Sequence, residues 1–288
     1  MEKNDKKIGW IRILLILFPY LIIVGTFQVM AYGIMGYSLT EPESSKDLPL
    51  NLAISLATLL GTLAVLYIFM KGVEKRRFLD LGLHLKGRVK EIIAGIIVGF
   101  LIMAAAYLLL LSLNQLQFIA FNFNMENILL STLIFIAVGI GEELFFRGYI
   151  QRNLMYSFNN YVALFISASI FALAHGLNPN FSWIAFTGIF FAGILLGVSY
   201  LFTKNLWFPI ALHFSWNLFQ TYFGFNVSGQ EFYSIIEFNI SENNILNGGN
   251  FGFEASIFSL LFQLILILGI FFYYKRPKLI SYPKRYRT

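Results

Sequence analysis

The chain of 288 residues has no cysteine, which excludes disulfides, thiolate metal ligands and a cysteine nucleophile. It is also poor in charge. Asp, Glu, Lys and Arg make up only 12% of it, about half of the roughly 25% typical of soluble domains. With 58% hydrophobic residues it cannot keep a surface wet, so the class is a polytopic membrane protein. Neither the Gly-x-Ser-x-Gly elbow of serine hydrolases nor the His-Glu-x-x-His helix of zinc proteases occurs. Histidine is scarce, with three in all, so where each one falls is informative.

What is present is a series of apolar runs about 20 residues long. Lipid satisfies no backbone polar group, so spans must be helices or a closed barrel, and runs of this length favour helices over alternating ten-residue strands. Eight spans are expected, at 11–36, 50–70, 91–113, 128–150, 161–176, 182–203, 207–223 and 255–274. The fold class is therefore an all-α bundle of about eight transmembrane helices, forming one membrane domain over 1–288. The first span has no small-residue cleavage site after it and reads as retained rather than as a signal peptide.

Basic residues alternate along the connections. Residues 71–90 hold seven Lys and Arg, whereas 114–127 and 224–254 hold none, and the tail from Lys275 holds six. This pattern puts both termini in the cytoplasm of a multi-pass cell-membrane protein. The net charge of +6 is a topology signal, and no nucleic-acid partner is expected. Residues 224–254 read as a solvated outer loop, with a cap on the membrane surface as the alternative. The sequons at Asn226 and Asn239 would face outward. Gly95-x-x-x-Gly99 and Gly193-x-x-x-Gly197 predict close helix contacts.

Against this apolar background stands a polar set. Glu142, Glu143 and Arg147 lie within one span, where each ionisable group costs roughly 2.5–3.5 kcal/mol on insertion scales. Glu143 and Arg147 are spaced i, i+4, acid first, and can neutralise each other. Glu142 points about 100° round the helix and lacks that partner. Phe171 and His175 lie one turn apart in the fifth span, and His213 and Asn217 share a face of the seventh. His84, in the basic connection, has no expected site role.

Together these are the parts of a hydrolase. Glu142 would activate a water, His175 would position it or share its proton, and His213 with Asn217 would donate to a developing oxyanion. Ser215 has no evident base. Glutamate with two histidines also suits a three-ligand zinc site, so the sequence leaves metal dependence open. Intramembrane Glu and His equally suit a proton-coupled transporter, although no inverted repeat is visible.

The ordered triple Glu142-Glu143-x-x-x-Arg147, Phe171-x-x-x-His175 and His213-x-x-x-Asn217, within 128–220, resembles the CAAX-protease and bacteriocin-processing (CPBP, or Abi) family of intramembrane proteases. The resemblance implies an intramembrane endopeptidase acting on a hydrophobic or lipidated peptide, in CAAX-type, bacteriocin or signal-peptide processing. It implies that Glu142 is the catalytic glutamate with His175 beside it, that His213 and Asn217 stabilise the oxyanion, and that Glu143 and Arg147 are supporting residues. It implies either a metalloprotease or a metal-free glutamate mechanism. Because the family includes bacteriocin self-immunity proteins, a non-catalytic immunity or scaffold role is the alternative.

Depth poses a problem for eight simple spans. At 1.5 Å per residue, Glu142 and His213 fall roughly 8–12 Å from the inner face but His175 falls about 22 Å from it. They can meet only if the fourth helix runs on to about Ser157, the fifth starts below the membrane, and the chain breaks near Pro179. That arrangement predicts a polar chamber opening towards the cytoplasm.

Overall fold

A computed structural model describes residues 5–38 and 47–275, with side chains from residue 8 onward. The basic residues expected at the two ends, Lys3 and those beyond Lys275, lie outside the described residues, as does Lys46.

The described chain is mostly helical. Its long helices are α1 (Asp5–Met35), α2 (Leu48–Ile68), α3 (Val89–Ser112), α4 (Met125–Glu143), α6 (Asn160–Ala174), α7 (Trp183–Thr203), α8 (Trp207–Tyr222) and α9 (Ile257–Lys275), with α5 (Arg152–Ser157) between α4 and α6. Starts are set by side-chain caps: Asp47 accepts from Leu50 N, Asn124 from Asn127 N, Asn159 from Tyr161 and Val162 N, and Ser182 from Ala185 N.

Eight rods stand where eight spans were expected, but by length and composition six are able to cross a membrane. Helix α6 has 15 residues and α8 has 16, or about 22–24 Å at 1.5 Å per residue, short of a hydrocarbon core of about 30 Å. The chain is a multi-pass membrane protein.

The expected extension of the fourth helix is present. Helix α4 passes without a break through a π-helical stretch, Leu144–Gln151, into α5, giving a rod over Met125–Ser157 of 33 residues. Glu142 lies near its middle. The chain reverses at Phe158 and Asn159, and α6 climbs back to stop at Ala174, so His175 returns to the level of Glu142. The turn 175–182 contains Pro179, and α7 then descends beside α6.

Helix packing relies on missing side chains. A Cβ on Gly193 would lie 2.9 Å from Ala168 Cα, and one on Gly197 would lie 2.5 Å from Leu164 Cδ1. In the same way Gly95 and Gly99 let α3 rest on α8 at Ala211 and Ser215. Both small-residue pairs thus serve close helix contact. The largest core cluster surrounds the π-helical stretch, where Phe145, Phe146, Tyr149 and Ile150 meet Ile16, Leu66, Met70 and Leu81. Tyr20 of α1 stacks on Phe145 at 3.8 Å.

Residues 224–254 are not a solvated loop. Phe225, Asn247, Phe251, Phe253 and Glu254 are all buried. Strand β1 (Gln117–Phe121) pairs antiparallel with β2 (Ile236–Asn239), with Phe118 opposite Phe238 and a bulge before Ala120. Tyr233 Oη donates to Asn122 O at 2.6 Å and accepts from Asn124 N at 2.7 Å, tying this segment to the start of α4. The other end of the segment reaches the turn after α6. Gly229 (φ +85°) sits so close that a Cβ there would be 2.0 Å from Pro179 O. At the first sequon, the Asn226 carboxamide donates to Asn250 O at 2.8 Å and Ser228 Oγ to Glu254 at 3.1 Å, so both residues are already engaged.

Candidate active site

Glu143 and Arg147 form the buried base of the site. Their side chains are 0% and 1% exposed, and Arg147 NH1 donates to Glu143 Oε1 at 2.7 Å. Sharing a fully buried acid with a cation is what makes its charge tolerable away from water. Arg147 is held further by Gly193 O at 3.4 Å and by the Phe171 ring, whose centroid is 4.2 Å from the guanidinium carbon. Phe171 therefore has three neighbours among the polar groups, since the His175 and His213 rings also lie 4.7 and 6.1 Å from it.

The same Glu143 oxygen receives His213. Nδ1 lies 2.8 Å from Oε1, and a carboxylate only accepts, so Nδ1 carries the proton. His175 is fixed in the same sense, with Nδ1 2.8 Å from Phe171 O. A carbonyl also only accepts, and in the neutral imidazole Nε2 is left with its lone pair.

Both Nε2 atoms face Glu142. Its Oε2 is 4.0 Å from His175 Nε2 and 3.9 Å from His213 Nε2. These gaps are too long for direct hydrogen bonds and of the size that one water molecule bridges. Glu142 Oε2 has no hydrogen-bond partner among the described residues, and the Glu142 side chain is 31% exposed. Asn217, one turn beyond His213, is buried, and its carboxamide makes no hydrogen bond among the described residues. Three separate stretches of sequence thus meet here. Glu142 and Glu143 come from α4, His175 from the end of α6, and His213 and Asn217 from α8.

Beside the site towards Ser157, Phe145, Phe146, Tyr149 and Phe171 are buried together with the polar Gln151, Arg152 and Asn153. The sequence leaves metal dependence open for Glu142, His175 and His213. Among the described residues no group of three or more His, Asp or Glu has metal-binding geometry. Bonds of about 2.0–2.1 Å would draw the donor atoms closer together than these are. Ser215 faces α3, with Oγ 3.0 Å from Gly95 O. His84 lies far along the chain, its carbonyl accepting from Asn205 at 2.8 Å.

Sequence reasoning missed the link between Glu143 and His213, the Gly193 carbonyl and the buried Glu254 described below. The first two join distant segments and leave no trace in local spacing. Glu254 could have been noticed as the acid lying between two phenylalanine-rich stretches.

Residues 124–219 match the family model described as Rce1-like: Type II CAAX prenyl endopeptidase Rce1-like. Among curated proteins and among solved structures nothing matches the chain. The matched stretch opens at the Asn124 cap of α4 and closes just past Asn217, so it contains every motif residue. The family suggested by the three ordered motifs is the one whose model matches: residues 124–219 of this chain are similar to the Type II CAAX prenyl endopeptidase Rce1-like family.

Proposed function

We propose that the protein is an intramembrane endopeptidase that hydrolyses a peptide bond in a hydrophobic or lipidated peptide, using a water activated by Glu142. The observation that carries this reading is the unpartnered Glu142 Oε2, 4.0 and 3.9 Å from the Nε2 atoms of two histidines. A water bound between Glu142 and His175 loses a proton to the carboxylate as its oxygen attacks the scissile carbonyl. His213, its Nδ1–H resting on Glu143, donates through Nε2 as an imidazolium to the oxyanion, and Asn217 Nδ2 is the second donor. When the tetrahedral intermediate collapses, the C–N bond breaks and Glu142 passes its proton to the leaving amine. Glu143 and Arg147 take no part in bond making; they hold His213. No step is routed through a metal.

In this reading the substrate is a CAAX-type prenylated peptide or another hydrophobic peptide, and the protein lies in the cell membrane with both termini cytoplasmic, as the alternation of basic connections supports. The test is purified protein in lipid with an internally quenched, farnesylated CAAX-type peptide. Glu142→Gln removes the base at constant shape, and cleavage should fall to background. Cleavage at the unmodified rate would reject Glu142 as the base.

A further inference from the structure

The candidate mechanism leaves one buried carboxylate unused. Glu254, just before α9, is 4% exposed. Its Oε2 accepts from Ser228 N at 2.7 Å and from Gln220 Nε2 at 2.9 Å, and its Oε1 accepts from Ser228 Oγ at 3.1 Å. Ionised carboxylates away from water persist only when their oxygens are satisfied, and here both are. Burial pushes the Glu254 carboxyl above its ordinary range. The Ser228 and Gln220 donors, and at longer reach His175, pull it back.

The donors come from two places, and each leads to the candidate site. Gln220 lies on α8 one turn beyond Asn217. Ser228 belongs to the outer segment, and its carbonyl accepts from Asn178 Nδ2 at 3.0 Å. Asn178 N in turn donates to His175 O at 3.0 Å. A continuous hydrogen-bonded path therefore runs from His175 through Asn178, Ser228 and Glu254 to Gln220, and returns down α8 to Asn217 and His213. The turn 175–181 is held besides by Gly176 N donating to Leu173 O, by Phe181 N donating to Asn178 O and by the Phe181 ring 6.2 Å from that of Phe251. It follows the C-terminus of α6, and its Leu177 is wholly exposed. The Gly252 backbone is pressed against Asn226 O, where a Cβ would be 1.9 Å away, so the 3-10 turn Phe253–Ala255 that carries Glu254 has little room to shift.

We propose that Glu254 is a positioning residue: its carboxylate clamps the outer segment to α8 and, through Ser228 and Asn178, holds the turn that presents His175 to Glu142. Its effect on rate rests on the endopeptidase reading, whereas its effect on the placement of His175 does not. Glu254→Gln keeps the shape and removes the charge, so the bonds from Ser228 N and Gln220 Nε2 to a carboxylate become weaker bonds to a neutral amide oxygen.

The experiment uses the full chain in lipid nanodiscs, as wild type, E254Q, S228A and E142Q. Cleavage is followed on the farnesylated quenched peptide. Side-chain 15N-histidine spectra are recorded in parallel, with three imidazoles to resolve. E254Q should lower kcat about ten- to a hundredfold, as small misplacements of catalytic groups do, with KM changed less than about twofold. The His175 signals should move while those of His84 stay. S228A removes one donor and should act in the same direction to a smaller extent, and it decides the matter if E254Q does not fold. Folded E254Q and S228A with wild-type His175 signals overturn the proposal, whatever the peptide does. If E142Q abolishes cleavage and E254Q leaves both kcat and the spectrum unchanged, the positioning role falls and the endopeptidase reading stands. If E142Q cleaves normally, or the wild type does not cleave the peptide, while E254Q moves His175, the endopeptidase reading falls and the positioning role stands.

Discussion

Glu143 Oε1 lies 2.8 Å from His213 Nδ1, and this contact decides which nitrogen of His213 is turned towards Glu142. Two adjacent glutamates in one helix thereby take different parts. Glu143 Oε1 is taken by Arg147 and His213 on a side chain that is 0% exposed, whereas Glu142, 31% exposed, turns an unpartnered Oε2 towards both histidines.

Arg147 and Glu143 should be costly to separate. Removing one partner of a fully buried pair costs about 3–5 kcal/mol, whereas replacing both is far milder. Arg147→Met should therefore destabilise the protein sharply, and Glu143→Gln/Arg147→Met should recover much of that loss without recovering activity. Unfolding in mixed detergent, followed by circular dichroism, measures the first effect and peptide cleavage the second. If the double variant were as unstable as the single one, the pair would not be the source of the cost.

Asn217 should behave in the opposite way. Its carboxamide makes no hydrogen bond among the described residues, so Asn217→Ala leaves no buried partner unsatisfied and should keep the thermal midpoint. Loss of an oxyanion donor typically costs about 10²–10³ in kcat, and that is the expected fall. A variant that lost stability while retaining kcat would show that Asn217 serves packing.

The two glycines of α7 that face α6 make a graded pair. A Cβ at Gly193 meets the Ala168 backbone at 2.9 Å, which cannot give, whereas at Gly197 it meets only side-chain ends, Leu164 Cδ1 at 2.5 Å, which can turn away, and Gln151 Oε1 at 2.6 Å, whose carboxamide also donates to Gly197 O at 2.9 Å. Overpacking costs about 1–3 kcal/mol. Gly193→Ala should fall at the upper end and Gly197→Ala at the lower, and only the former should also depress activity, because it moves the Gly193 carbonyl that holds Arg147. Equal losses in a side-by-side melt would contradict this ranking.

His84 is a control. Its imidazole is half-exposed and 4.0 Å from Asp80, and surface changes of this kind stay within about 0.5 kcal/mol. His84→Ala should cleave the test peptide at close to the wild-type rate. A large loss would mean that a histidine outside the site contributes to it.

Much of the bundle was legible because a bilayer sets a length scale. Runs such as 91–113 and 182–203 end near the helices observed, α3 at Val89–Ser112 and α7 at Trp183–Thr203. The need for His175 to reach the depth of Glu142 also gave the extension to Ser157. The π-helical stretch after Glu143 was not legible. It depends on how Phe145, Phe146 and Tyr149 pack against α1 and α2, not on local propensity. Residues 224–254 misled because Asn and Gly read as solvated chain. Here the carboxamides satisfy one another, as Asn243 does with Asn250 and Asn247 with Glu242 O, and the glycines allow backbones to touch. The polar site was legible residue by residue, but its wiring was not, since Glu143–His213 and Ser228–Glu254 join positions far apart in sequence.

Helix α6 stops at Ala174, and its following turn is held by Ser228 and Gly229, which the ribosome adds some fifty residues later. The hairpin of α6 and α7 therefore cannot mature as it emerges. Its apex must wait, with the Asn178 carboxamide lacking its Ser228 partner, until α8 and the chain beyond it arrive. Completion of this half of the bundle is a post-insertion event, and a nascent chain released before residue 256 would contain all the motif residues without a finished place for His175.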